Sequence, residues 1–149
     1  HVADVAGVAF FNDSKATNVG AVARSLEGFH RPVILIAGGL DKGGDFASLR
    51  PLLSPRPGTG GVRLIVLLGK AAPKIEEALG DLVETATVGS LEEAVRTAAA
   101  RAREGETVLL SPACASFDMF RDFEDRGEQF AALVRALEEG PTAVGEDAR

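Results

Sequence analysis

Val33-Ile-Leu-Ile-Ala-Gly-Gly-Leu-Asp-Lys-Gly-Gly-Asp45 decides the fold: five uninterrupted apolar residues, then a loop of four glycines, two aspartates, a lysine and a leucine. A strand wetted on one face alternates apolar and polar residues, whereas a strand covered by helices on both faces reads as a continuous apolar run. Val33 to Ala37 is of the second kind, and the glycines that follow end it. Three further short runs have the same character: Val8 to Phe11, Arg63 to Leu68 and Thr107 to Leu110.

Between these runs the rhythm changes to three and four. Val19, Val22, Ala23 and Leu26 share one helical face, and Leu91, Ala94, Val95, Ala98 and Ala102 share another. Ser90 followed by Glu93 is a capping box for the second of these helices. Pro73 stands where the first turn of a helix accepts proline. A last helix carries Phe120, Phe123, Gly127, Phe130, Val134 and Leu137 at spacings of 3, 4, 3, 4 and 3, and the glycine on that stripe predicts close backbone approach to a neighbour. Alternating strands and helices with short connections predict an α/β, Rossmann-like fold: a mostly parallel sheet of about five or six strands with helices on both faces. Ligands of such sheets gather at the C-terminal ends of the strands. Ser54 to Gly61 reads as a loop and residues 140–149 as a frayed polar tail, which leaves residues 1–139 as the folded domain.

A chain of 149 residues, 46% apolar and 26% charged, fits one domain. Such a chain buries about two-thirds of its unfolded surface. With 16 Lys and Arg against 22 Asp and Glu, a general nucleic-acid binder is disfavoured, because neutralising phosphates calls for a basic face. Three Arg against seven Asp and Glu between Asp118 and Glu139 put much of that acidity on the last helix. Cys114, the lone cysteine, has no intrachain disulfide partner, which favours a reducing cytoplasm. No apolar run approaches the roughly 20 residues of a membrane span, and the N-terminal residues lack a signal-peptide pattern. The first residue, His1, leads almost at once into what reads as a strand, as expected of a piece of a longer protein.

Three polar clusters directly follow apolar strands. Asn12-Asp-Ser-Lys-Ala-Thr-Asn18 precedes a helix whose N-terminus favours a capping side chain or an anion. Thr17 and Asn18 suit either capping or a ligand. Lys15 opposes the helix dipole there and so calls for an anionic partner, a phosphate or a carboxylate. Gly38 to Asp45 places Lys42 among glycines, which suits either a flexible turn or an anion-binding loop, although neither phosphate-loop nor dinucleotide spacing is present. In the third cluster, Leu110 to Gly127, Ser116 can cap the last helix or bind a carboxylate. Cys114 reads as a buried small thiol rather than a nucleophile, and Phe117, Phe120, Phe123 and Phe130 as core.

In order, Asn-Asp-Ser-Lys-Ala-Thr-Asn at 12 to 18, Gly-Gly-Leu-Asp-Lys-Gly-Gly-Asp-Phe at 38 to 46 and Leu-Ser-Pro-Ala-Cys-Ala-Ser-Phe-Asp-x-Phe-x-x-Phe-x-x-Arg-Gly at 110 to 127 resemble the C-terminal domain of the Mur ligases, specifically the branch that adds D-glutamate. The likeness runs from about Val5 to Leu137. Other Mur ligases usually carry an Asp-Tyr-Ala-His-x-Pro type of sequence in place of Asp13-Ser-Lys-Ala-Thr-Asn18. The resemblance implies a cytoplasmic, monomeric three-domain enzyme of peptidoglycan precursor synthesis. Its partners would be D-glutamate, UDP-N-acetylmuramoyl-L-alanine and ATP. The central domain, absent from this chain, would hold most of the ATP and the Mg2+, so the piece by itself is expected to be inactive. By the same resemblance Lys42, Thr17, Ser116 and the backbone near Phe123 would contact D-glutamate, Asp13 the ATP ribose, and Lys15 both ATP and the phosphate being transferred. Lys15 and the Ser111 to Gly127 segment disfavour a folylpolyglutamate-type or other Mur ligase. A stand-alone α/β binding module, flavodoxin-like or a receiver, is the rival of another class. A receiver would want an acidic cluster where Lys15 and Lys42 stand.

Overall fold

β1 (Ala3–Val5) and β2 (Val8–Asn12) form an antiparallel hairpin across a two-residue turn, Ala6-Gly7, in which both residues have positive φ. The computed structural model describes residues 1–116 and 118–140, and among these six strands make one sheet. β3 (Val33–Gly38), β4 (Val62–Leu68), β5 (Glu84–Thr87) and β6 (Thr107–Leu110) complete it in the order β1-β2-β6-β3-β4-β5, and every pairing after the hairpin is parallel.

Covering both faces explains the uninterrupted apolar runs. Along β3, Val33, Leu35 and Ala37 face one core with Val22 and Leu26 of α1 (Val19–Leu26), Leu53 of α2 (Arg50–Leu53) and Ile75 and Leu79 of α3 (Ala72–Leu79). Ile34 and Ile36 face the other core, with Ala94, Val95 and Ala98 of α4 (Leu91–Arg101) and Phe130 and Val134 of α5 (Phe123–Gly140). All five residues from Val33 to Ala37 are at most 3% exposed, as a doubly covered strand requires. The chain travels outward through β3, β4 and β5 with its helices on one face. It returns through α4 on the other and inserts β6 between β2 and β3. The three polar loops after β2, β6 and β3 thereby become neighbours at one end of the sheet.

The four strands expected from the sequence are present, within a residue of the expected ends. β1 and β5 were not singled out, because both lie at an edge. Glu84-Thr-Ala-Thr87 is a polar segment with no buried residue, and only β4 pairs with it. Ser90 caps α4 as expected, its hydroxyl accepting the Glu93 N–H at 3.1 Å, and Pro73 lies in the first turn of α3. The last helix begins later than its apolar stripe suggests. Before Phe123 the chain turns around the Ser116 carbonyl, which accepts the N–H groups of Met119 and Phe120 at 3.1 and 2.9 Å. The helix therefore starts at Phe123, too late for Ser116 to cap it, and Asp122 accepts the Asp125 N–H at 2.7 Å in that role. Gly127 does approach a neighbour: a Cβ there would lie 2.9 Å from the Asn12 side-chain nitrogen. Phe117 and, but for Gly140, the expected tail lie outside the described residues.

Candidate functional site

The loop after β2 is held from both sides. The Asp13 N–H donates to the Leu110 carbonyl at 2.7 Å, and its carboxylate accepts the hydroxyls of Ser111, at 2.9 Å, and Ser25. Asn18, not Thr17, caps α1, accepting the Ala21 N–H at 2.9 Å. Thr17 is half-buried beside it and Lys15 is exposed. Lys15 separates two open hollows. One, of about 450 Å³, is also lined by Asn12, Phe123, Gly127 and Arg135; the other, of about 500 Å³, by Asp13, Asn18, Arg24 and Ser25. Lys15 and Phe123 thus share one hollow, and Asp13 and Lys15 the other. Thr17, Lys42 and Ser116 line neither.

The loop after β3 begins with Gly38 and Gly39 at φ of 131° and 133°, values that exclude ordinary side chains. Space forbids them as well, since a Cβ on Gly38 would fall 1.9 Å from the Leu68 carbonyl oxygen. Leu40 and Ala115 exchange backbone hydrogen bonds of 2.9 and 3.0 Å, and the Gly38 N–H donates to the Pro112 carbonyl at 3.0 Å. Asp41 accepts from Lys74 at 2.6 Å and from the Gly44 N–H at 2.8 Å. The Lys74 hydrogen bond, followed by that from Gly44, holds the Asp41 carboxyl below its ordinary pKa. Asp41 therefore shapes the loop, and Lys42 is exposed next to it. This aspartate–lysine pair was missed in the sequence because its members are 33 residues apart.

Ser111 to Ser116, after β6, are all buried, and Ser116 is 2% exposed. Burial, reinforced by Asp41 and Asp118, pushes the Cys114 thiol up to about 12 against the opposing charges of Arg126 and Lys74. A thiol so placed is neutral near pH 7, which fits the buried small thiol expected rather than a nucleophile. Phe130 is fully buried as expected and Phe120 is half-buried, whereas Phe123 is 40% exposed and is not core. The Phe123 carbonyl accepts the Ser14 hydroxyl at 2.6 Å. Its N–H is among the first-turn donors of α5, which have no partner within the helix.

One central side chain was quoted in the sequence motif without a role. Arg126 is 2% exposed and donates through Nε to the Ser14 hydroxyl at 2.9 Å and through Nη2 to the Ser14 carbonyl at 2.8 Å. Nη1 has no hydrogen-bond partner among the described residues. Burial lowers the Arg126 pKa to about 10, opposed by Cys114 and Asp118. The available signal was its position: three residues after Phe123 and four before Phe130, Arg126 lies on the stripe that faces the sheet.

Residues 1–114 match the family model described as "Mur ligase, glutamate ligase domain". The chain belongs to this family. As a Mur ligase domain it is 49% identical over 139 residues to a protein of Geotalea daltonii, a match covering 93% of this chain and 30% of the relative. It is 50% identical over 136 residues to one of Methylococcus capsulatus, covering 91% and 28%, and 49% identical over 140 residues to one of Pseudomonas fluorescens, covering 91% and 30%. Each of these relatives carries the name "UDP-N-acetylmuramoylalanine--D-glutamate ligase". The Mur ligase domain spans about 30% of the length of the curated relatives it matches.

Proposed function

We propose that this Mur ligase domain receives D-glutamate in a longer, ATP-dependent enzyme that joins D-glutamate to UDP-N-acetylmuramoyl-L-alanine in the cytoplasm, acting as a monomer. The names of relatives about half identical to it support the reading. The observation that carries it is the insertion of β6 between β2 and β3, which sets the loops bearing Lys15 and Thr17, Ser116, and Lys42 side by side at the C-terminal end of the sheet. An amino acid with two carboxylates needs cations and donors converging from several elements, and these loops carry them on a chain whose overall charge is -6.

A carboxylate resists attack by an amine because it has no good leaving group. Transfer of the γ-phosphoryl group of ATP to the alanyl carboxylate gives an acyl phosphate and ADP. The D-glutamate nitrogen then attacks the carbonyl carbon, the C–N bond forms, the C–O bond to phosphate breaks, and the amine gives up a proton. The protein's contribution is to orient the amine and to stabilise charge. In this reading Lys42, Thr17, Ser116 and the Phe123 backbone hold D-glutamate, Lys15 faces the transferred phosphoryl group, and Asp13 lies toward the ribose. Among the described residues no group of three or more His, Cys, Asp or Glu side chains is placed to hold a metal ion, so the reading assigns Mg2+ to the remainder of the longer protein.

Phosphate release by the full-length protein tests the reading. Lys42→Ala should raise KM for D-glutamate about ten- to a hundredfold, the loss of a charged hydrogen bond, with KM for the UDP-linked substrate within about twofold. Equal changes in both constants would contradict the assignment.

A further inference from the structure

Three side chains tie the start of α5 to the end of β2 and the loop after it. The Asn12 side chain donates to the Gly127 carbonyl at 3.2 Å and accepts the Ser14 N–H at 3.0 Å. Ser14, 4% exposed, donates its hydroxyl proton to the Phe123 carbonyl and accepts from Arg126 Nε, while Arg126 Nη2 holds the Ser14 carbonyl. The planar guanidinium thus grips one residue at two points, a geometry that fixes orientation as well as distance. The residue it grips immediately precedes Lys15, and Phe123 lies one helical turn before Arg126. The same guanidinium also reaches the loop after β3: a Cβ on Gly39 would sit 3.3 Å from Arg126 Nη1 and 3.2 Å from the Cys114 Cβ. Arg126 is therefore packed among all three loops, from residues of the first (Ser14), the second (Gly39) and the third (Cys114).

Contact ion pairing does not explain a buried arginine at this place: no carboxylate lies within 4 Å of it among the described salt bridges, and the charge of Asp118 acts on it only from farther away. An unpaired buried charge is unfavourable for folding unless its hydrogen bonds compensate. We propose that Arg126 is a positioning residue: through its two-point hold on Ser14, and through Ser14 on Phe123, it sets the Lys15-Thr17 loop against the first turn of α5 so that both face one substrate. This role rests on the D-glutamate reading above. Neither Arg126 nor Ser14 need touch the substrate. Lysine retains the charge but not the fork, so Arg126→Lys loses one of the two holds on Ser14. Ser14→Ala removes the hydroxyl that links Arg126 to Phe123.

The test is steady-state phosphate release by the full-length protein carrying Arg126→Lys, Ser14→Ala or both, well below each variant's Tm. Misplacing reacting groups by about an ångström costs on the order of a hundredfold. Arg126→Lys is therefore expected to raise KM for D-glutamate about tenfold or more, or to lower kcat by that factor, while KM for the UDP-linked substrate moves less than about twofold. Ser14→Ala should act in the same direction, and the double variant should be no worse than Arg126→Lys alone, because both changes break one linkage. A lowered Tm with unchanged D-glutamate KM and kcat, or equal changes in both substrates' KM, would overturn the role. If Arg126→Lys does not fold, Ser14→Ala decides by the same criterion. A wild-type protein that releases no phosphate in response to D-glutamate would overturn the D-glutamate reading and this role with it, whereas an active wild type with indifferent variants would overturn the role alone.

Discussion

The two ends of the sheet each hold an arginine out of solvent, and treat it differently. At the N-terminal end, Arg63 at the start of β4 meets Glu106 before β6 in a two-point pair of 2.7 and 2.8 Å, and its Nη2 also donates to the Arg101 carbonyl at 2.6 Å. Burial alone would raise the Glu106 carboxyl, but the hydrogen bonds from Arg63 and the Arg103 N–H, with the charge of Arg63, hold it below its ordinary value. At the C-terminal end, Arg126 has hydrogen bonds to Ser14 and no carboxylate within ion-pair distance among the described residues. Glu106 neutralises the charge of one arginine, which stays protonated and fastens β4 to the chain entering β6. The other lies beneath the loops that bear Lys15 and Lys42 with no such partner among the described salt bridges. The difference accords with the proposed reading, in which charge at the C-terminal end serves an anionic substrate.

The largest expected effect is at the neutralised end. Glu106→Ala leaves Arg63 mostly buried with the Arg101 carbonyl but no carboxylate partner and should destabilise by about 3 kcal/mol, the range for breaking one side of a buried pair. The midpoint of urea unfolding measures it. A loss below about 1 kcal/mol would put Arg63 among surface pairs and remove one side of the contrast. Arg126→Met should cost less, about 1 kcal/mol, because lost hydrogen bonds are partly offset by removing a charge that burial disfavours. Equal losses from the two substitutions, read from the same unfolding curves, would show that the ends are built alike.

How much of this contrast was legible follows from where each residue sits. The Val33 to Ala37 run announced a strand covered on both faces, because a strand wetted on one face would alternate apolar and polar residues. β5 did not announce itself, since an edge strand such as Glu84-Thr-Ala-Thr87 has little core to face. Lys15 and Lys42 stood out as cations after strands, but their neighbourhood was hidden, because the placement of β6 between β2 and β3 is a tertiary event with no local signature. Phe120 continued the apolar rhythm of α5 and so masked the turn held by the Ser116 carbonyl. Arg126 was visible as a charge on an apolar stripe. Its partner was not, because Ser14 lies 112 residues away.

The smallest expected effect isolates the surroundings of Arg126 through its neighbour Cys114. The folded thiol is raised to about 12 from an ordinary value of 9.0, so its contribution to stability is complete below pH 9 and is lost as pH rises toward 12. Arg126 has the opposite sign: with a folded value of about 10 against an ordinary 12.5, the folded state gives up its proton first, and stability gains as pH rises above 10. Between pH 9 and 10 the thiol is the larger of the two opposing effects. The Tm of the wild type should therefore fall more steeply than that of Cys114→Ala across this interval, and the two curves should run closer to parallel below pH 8.5. Comparing the variants cancels the titration of exposed lysines, which both share. Arg126→Met should steepen the fall toward pH 10, because it removes a guanidinium whose own early loss of a proton in the folded state offsets the thiol there. A slope indifferent to Arg126 would mean that burial does not lower its pKa, and the difference drawn between the two arginines would then be one of hydrogen bonding rather than of charge.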